Sequence, residues 1–294
     1  MRITTPIVLL VFNRPAHTRR LFEVIRSLRP LRLIVVQDGP RDSHPQDAQL
    51  CAEVRQIVTA IDWPCQADGI FAESNMGLAN RVSSGLSQVF ASEEQAIILE
   101  DDCIPDPSFF PYCEELLAHY ANDERVMAIS GNNFHFGGYT PPHSYYFSRF
   151  FHCWGWATWR RAWQHYDHSM PHWPELSRDG WLPATLINPR EVAHWTQAYN
   201  NVYKGLVDSW AYRYTYAIWR NHGLTILPRH NLVSNIGFGE DSTNTGNQKH
   251  PYANMARAEM SLPLVHPPHM IPNFIADQRY SQLNFVPTNM GSSW

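Results

Sequence analysis

Over the first 130 residues, short apolar runs alternate with longer stretches of helical period, and the apolar runs tend to stop at a polar group. Pro6 to Phe12 is apolar and rich in β-branched residues, and Asn13-Arg14-Pro15 breaks it. Leu21, Phe22, Ile25 and Leu28 then recur at the spacing of an amphipathic helix. Arg32 to Val36 is a second run, ending in Gln37-Asp38-Gly39-Pro40; Leu50, Val54, Ile57, Val58 and Ile61 follow as a helix closed by Trp63-Pro64. A weaker strand around Ile70-Phe71 leads through Glu73-Ser74-Asn75-Met76-Gly77 to a helix carrying Leu78, Val82, Leu86, Val89 and Phe90. Next comes Ala96-Ile97-Ile98-Leu99, the pattern of a strand buried on both faces, with Glu100-Asp101-Asp102 directly behind it. Phe109 to Tyr120 predicts a helix, and Val126 to Ser130 a strand running into Gly131-Asn132-Asn133. This β-α-β-α order predicts an α/β domain with a mostly parallel sheet and right-handed crossovers. No fixed period recurs, which excludes solenoids and propellers.

From about Phe147 the texture changes. Eight of the 11 tryptophans lie between Trp154 and Trp210. Large indoles mostly fill a core, but they also stack on sugar rings, and Trp154 or Trp156 is the first choice to face a ligand. A helical stretch includes Asp208, Ser209, Trp210, Tyr214, Ala217 and Ile218, and Leu224 to Leu227 has the pattern of a last strand. Ser234 to Gly246 is polar and Gly-rich, predicting a mobile loop, and the tail from Pro251 has no clear period.

Length and composition narrow the class. At 294 residues the chain suits one large α/β domain or two small ones. With 27 acids against 23 bases and no dense basic run, a nucleic-acid partner is not expected. Ile7 to Phe12 is too short for a signal sequence or a membrane span, so the expectation is a soluble, cytoplasmic chain, with peripheral membrane contact through aromatic or C-terminal segments left open. Cys51, Cys65, Cys103, Cys113 and Cys153 are odd in number and form no Cys-x-x-Cys pair, as expected of reduced thiols. His165 and His168, and His266 and His269, stand at zinc-like spacings, but nothing completes a recognisable ligand set.

In one parallel sheet the predicted strand ends share an edge, the place where open α/β sheets bind ligands. That edge would carry Asn13 and Arg14, then Asp38, then Glu100, Asp101 and Asp102. Three adjacent carboxylates repel one another unless something positive sits among them, and a hard divalent cation with oxygen ligands answers that need. Asp38 suits a hydrogen bond from a base imide, Arg14 a base or phosphate, and the acids a cation bridging a diphosphate. Each has a plainer reading: Asp38-Gly39 as a turn, Arg14 as a surface arginine, and the acids as the first turn of a helix before Pro105 and Pro107.

At these residues the chain resembles nucleotide-diphospho-sugar transferases of the GT-A fold, both the inverting family 2 and the N-acetylglucosaminyltransferase I group. The resemblance runs through Asn13-Arg14, Asp38-Gly39, Asn75-x-Gly77 and Glu100-Asp101-Asp102, more faintly through Asn132-Asn133, Gly155-Trp156 and Asp208-x-Trp210, and covers roughly residues 5–250. It implies residues 1–130 as a nucleotide-sugar-binding half, 131–250 as an acceptor-binding half of the same GT-A domain, and 251–294 as a tail. It implies a UDP-sugar donor, Mn2+ or Mg2+, a glycan acceptor and a place in polysaccharide biosynthesis. Donor contacts would be Asn13, Arg14, Asn75 and Gly77, with Asp38 on the uridine and Glu100 and Asp101 on sugar and ribose. The Glu-Asp-Asp stretch would serve as the DxD-type motif with Asp102 on the metal, Asp208 as the base, and Asn132, Asn133, Trp154, Trp156 and Trp210 toward the acceptor. Asn244 stands where a histidine able to join the metal shell is looked for, and His230 or His250 could substitute.

Two other functions start from a similar fold. A sugar-nucleotide-forming nucleotidyltransferase usually needs a Gly-rich basic loop after its first strand, where this chain has Asn13-Arg14-Pro15. A non-catalytic carbohydrate-binding protein would fit the aromatic segment and Asn244.

Overall fold

A computed structural model describes residues 3–238 and 250–285. The chain opens with strand β1 (Ile7–Val11), wholly buried, and helix α1 (Pro15–Leu28), whose first-turn proline has no amide to leave unpaired. Strand β2 (Arg32–Gln37), helix α2 (Asp47–Thr59), strand β3 (Gln66–Phe71), helix α3 (Leu78–Ser92) and strand β4 (Gln95–Glu100) repeat the alternation. After the acids come a short strand β5 (Cys103–Pro105), helix α4 (Phe109–His119) and strand β6 (Val126–Ser130). The acid triplet therefore closes a strand, and the next helix starts well beyond it.

The aromatic region builds strands β7 (Tyr145–Ser148) and β8 (Trp156–Trp159), short helices α5 (Arg160–Trp163), α6 (Trp173–Arg178) and α7 (Trp181–Thr185), and longer helices α8 (Pro189–Tyr203) and α9 (Trp210–Arg220). Strand β9 (Leu224–Pro228) is followed by β10 (Val233–Asn235) and, in the tail, by helix α10 (Phe274–Phe285). Thus Leu224 to Leu227 is not the last strand, and the tail, which has no clear period, still forms a helix.

The sheet runs β3-β2-β1-β4-β8-β6-β9-β7, with a separate antiparallel pair β10-β5. Four of the seven pairings in the large sheet are parallel, and β8 lies antiparallel between β4 and β6. The expected α/β architecture, parallel in its first half, is what the chain adopts. Alternation along the parallel strands splits the core in two. Ile7, Leu9, Leu33, Val35, Ile97 and Leu99 meet α1, α2 and α4 on one face; Val8, Leu10, Ile34, Val36 and Ile98 meet α3 and the tryptophan-rich helices on the other.

Register brings the site together. Val11 pairs with Gln37, Gln37 with Phe71, and Leu10 with Glu100, so β1, β2 and β4 end side by side. The Asp38 amide donates to Val11 at 3.3 Å and the Asp101 amide to Leu10 at 3.1 Å, carrying the ladder one residue past the formal strand ends.

Candidate functional site

Beyond that edge lies a cleft of about 1280 Å³, whose walls include Asn13, Arg14, Asp38, Asn75, Gly77, Glu100, Asp101 and Asp208. Eight of the residues singled out in the sequence thus face one space. They come from five places along the chain: the ends of β1, β2 and β4, and the loops preceding α3 and α9.

Asp38 is buried, and its carboxylate Oδ1 accepts from the Gly39 and Met76 amides, both at 2.9 Å, while Oδ2 accepts from Asn75 Nδ2 at 3.0 Å. Burial raises its proton affinity, and these hydrogen bonds and Arg81 oppose that. The carboxylate thereby ties the end of β2 to the loop before α3. Two glycines allow the approach: a Cβ on Gly39 would stand 2.5 Å from the Ser74 backbone, and Gly77 has φ +80° where α3 begins.

Asn13 is held from the side, donating from Nδ2 to Asp47 Oδ1 at 2.7 Å. Asp47 is 2% exposed and also accepts from Arg41 Nε at 2.6 Å and Nη2 at 3.1 Å, which holds its carboxyl down at about 2. Arg41 in turn lies 5.3 Å above the Phe12 ring. Sequence reading passed over Phe12, Arg41 and Asp47; the available signal was an acid in the first turn of α2, which also suits the helix dipole.

Arg14 sits among the acids. It bonds Asp101 through both Nη2 and Nε and reaches Asp102 Oδ2 at 3.0 Å from Nη1. Its own proton is held still more firmly than usual by Asp101, Asp102 and Glu100, against the effect of burial. Glu100 takes the Trp210 indole N–H at 3.2 Å, and burial together with Asp102 and Asp101 pushes its carboxyl up to about 8. Arg14 opposes that rise, but burial is its largest cause.

Asp102 lies outside the cleft lining. Its Oδ1 accepts from Asn235 Nδ2 at 3.3 Å on β10, and Gly237 packs so closely that a Cβ there would run into the carboxylate. Asp208, exposed at the cleft wall, accepts the Ala79 amide at 3.2 Å and so caps α3 from another part of the chain.

None of the residues expected on the acceptor side lines the cleft. Asn132 is wholly buried and donates to Val233 at 3.4 Å; Asn133 donates to Pro228 and Arg229, each at 2.9 Å. Trp156 is 0% exposed and stacks on the buried Trp210 at 5.2 Å, so neither indole has a face for a ligand. Trp154 is half-buried against Phe134, Phe238 and Tyr252. His230 is exposed after β9, His250 packs on Phe238 and Tyr252, and Asn244, with most of the Ser234 to Gly246 loop, lies outside the described residues.

No helix among the described residues is long and apolar enough to cross a membrane. A curated relative, an alpha-1,3-mannosyl-glycoprotein 2-beta-N-acetylglucosaminyltransferase of Arabidopsis thaliana, is 33% identical over 109 residues. That match covers 36% of this chain and 24% of the relative, so the chain spans about a quarter of the relative's length. Among solved structures, GalNAc-T7 with UDP, GalNAc and Mn2+ aligns at TM-score 0.47 and 12% identity over 77% of this chain and 43% of that one. A cytidylyltransferase from Leptospira borgpetersenii aligns at TM-score 0.34 and 11% identity over 55% and 63%. The model of the GNT-I family matches residues 3–188, which is well over half of the sequence and includes every strand-end residue of the cleft. The chain therefore belongs to the GNT-I family.

Proposed function

We propose that this chain is a glycosyltransferase that takes a hexose or N-acetylhexosamine from a UDP-sugar and passes it, with inversion, to a glycan hydroxyl. The observation that carries this is the meeting of Asn13, Arg14, Asp38, Glu100, Asp101 and Asp208 in one cleft at the carboxyl edge of the sheet. Membership of the GNT-I family supports it. The relative from Arabidopsis is named as an N-acetylglucosaminyltransferase, and GalNAc-T7 was solved with UDP and Mn2+. The cleft, about 1280 Å³, exceeds the roughly 300–1,000 Å³ usual for a small-molecule pocket and leaves room for part of an acceptor beside a donor.

Within it, Asp38 and Asn75 would meet the base, with Phe12 and Arg41 beside them. Glu100 and Asp101 would meet ribose and sugar hydroxyls, and Arg14 the diphosphate. Asp102 would hold a divalent cation. The chemistry of the residues present fits one: Asp101 and Asp102 offer hard carboxylate oxygens, and the single guanidinium of Arg14 faces both. Among the described residues no three His, Cys, Asp or Glu side chains form a cage, so most of the ion's oxygens would come from diphosphate and water, as suits Mg2+ or Mn2+. When bound, the cation supplies charge neutralisation to the departing diphosphate.

Asp208 would act as the base. Its carboxylate takes the proton of the acceptor hydroxyl as that oxygen bonds to the anomeric carbon, and the bond from that carbon to the diphosphate oxygen breaks on the opposite side. The Leu206-Val207 stretch beside Asp208 completes this wall of the cleft and would contact the acceptor.

Calorimetry with UDP, with and without Mn2+, tests the reading. Metal-dependent binding in the micromolar range, abolished in Asp102→Ala, is the expected result. Binding of UTP with a sugar phosphate would replace it with a nucleotidyltransferase, and glycan binding without nucleotide with a carbohydrate-binding protein.

A further inference from the structure

We propose that Arg14 is a counter-ion latch on the acid triplet: with no ligand bound, its guanidinium fills the role of a cation between Asp101 and Asp102, and it yields Asp102 to a divalent ion only when a diphosphate offers it other oxygens. The proposal rests on the nucleotide-sugar reading and adds how that site controls its metal.

The geometry is specific. Arg14 stands where β1 gives way to α1, held there as its carbonyl accepts from the Thr18 amide at 3.0 Å and the Thr18 hydroxyl at 2.9 Å. From that fixed point it engages both oxygens of Asp101 and one of Asp102. The other Asp102 oxygen is taken by Asn235 at 3.3 Å. Each oxygen of the metal-binding candidate thus already faces an N–H donor, and of Arg14 and Asp102 only Arg14 lines the cleft. The side chains of Asp101 and Asp102 are 2% and 11% exposed, so water does little to screen the contact.

A guanidinium cannot shed its charge, so an ion arriving alone must break charge-assisted hydrogen bonds and leave Arg14 unpaired. A diphosphate removes that penalty, since its oxygens match the guanidinium fork. Cation and nucleotide should then raise each other's affinity by the same factor, on the order of 5- to 150-fold for couplings of this kind.

Mn2+ binding followed by the paramagnetic resonance of the free ion, with and without UDP, tests this. The wild type should bind Mn2+ alone weakly and at least about tenfold tighter with UDP. In Arg14→Gln, Mn2+ alone should bind at least about tenfold tighter than to the wild type, and the enhancement by UDP should shrink. Thermal unfolding separates this from a purely structural role: Mn2+ alone should raise the midpoint of Arg14→Gln but not of the wild type, whereas a structural arginine lowers the midpoint with no metal response. Should Arg14→Gln fail to fold, Arg14→Lys, whose ammonium lacks the guanidinium fork, should bind Mn2+ alone more tightly than the wild type, and equal affinity counts against the latch. Equal Mn2+ affinity of wild type and Arg14→Gln overturns the latch while leaving the nucleotide-sugar reading intact. Failure of the wild type to bind UDP with Mn2+ at all overturns both.

Discussion

At Asp208 the carboxylate oxygen already accepts the Ala79 amide at 3.2 Å, so the candidate base is also a cap on α3. The two duties separate on substitution. Asp208→Asn keeps an oxygen acceptor but no proton acceptor of useful strength. Transfer should fall by about 10²- to 10⁴-fold with UDP affinity and melting temperature unchanged. Asp208→Ala should in addition cost about 1 kcal/mol of stability, the usual price of a lost cap. Normal turnover by Asp208→Asn would move the base elsewhere. Asp47 is the second residue to change, because it joins Asn13 to Arg41. Asp47→Asn keeps the shape and removes the charge that anchors Arg41, and it should weaken UDP binding about tenfold in calorimetry, or about 1.4 kcal/mol. Unchanged affinity would show that Arg41 and Asn13 hold their places without it. At this scale Asp38, Arg14, Glu100 and Asp101 were legible as cleft residues because a polar group ending an apolar run is a local signal. Asp47 was not, since an acid opening a helix looks the same whether it binds solvent or two loops.

Among elements, the parallel strands and their helices were plain from period alone, because each buries one stripe or two faces against its sequence neighbours. Strand β8 was hidden: Trp156-Ala157-Thr158-Trp159 is buried throughout, so no face alternates, and its partners β4 and β6 lie far away in the chain. Helix α10 was hidden for the opposite reason, as the residues it buries are Ala276, Asp277 and Ser281 rather than an apolar stripe. Its anchor is polar. Ser148 Oγ donates to Asp277 at 2.5 Å and the Arg149 amide at 3.2 Å, and burial pushes the carboxyl up to about 6. Asp277→Ala should therefore strand the buried Ser148 hydroxyl and the half-buried Arg149 amide and cost about 1–3 kcal/mol in urea unfolding, several times the effect of a surface alanine. A loss within a few tenths of a kcal/mol would mean that water replaces the carboxylate.

For the whole molecule, a histidine buried among aromatic rings contributes to how the fold answers to acid. His152 packs between Phe134 and Tyr280, and burial, helped by His135, pushes its imidazole down to about 3. An unfolded histidine takes its proton near pH 6.5. Between those values the unfolded chain binds the extra proton, so this residue subtracts stability as pH falls from about 6.5 toward 3. His152→Phe removes that proton and keeps a ring. The wild type should lose stability relative to the variant by up to about 1.4 kcal/mol per pH unit in urea unfolding between roughly pH 6 and 4. Parallel curves would mean that His152 reaches water in the native state.

Local pattern determined the order of strands and helices over the first 130 residues, the parallel half of the sheet and the polar groups that end β1, β2 and β4, since hydrophobic period and strand-end chemistry act between near neighbours. Only the folded chain decided that Trp156 and Trp210 turn inward, that Asp208 comes to the start of α3, and that Arg14 lies against Asp101 and Asp102. Those are contacts between residues tens to more than a hundred positions apart, and register and packing across the sheet, which no single stretch carries, select them.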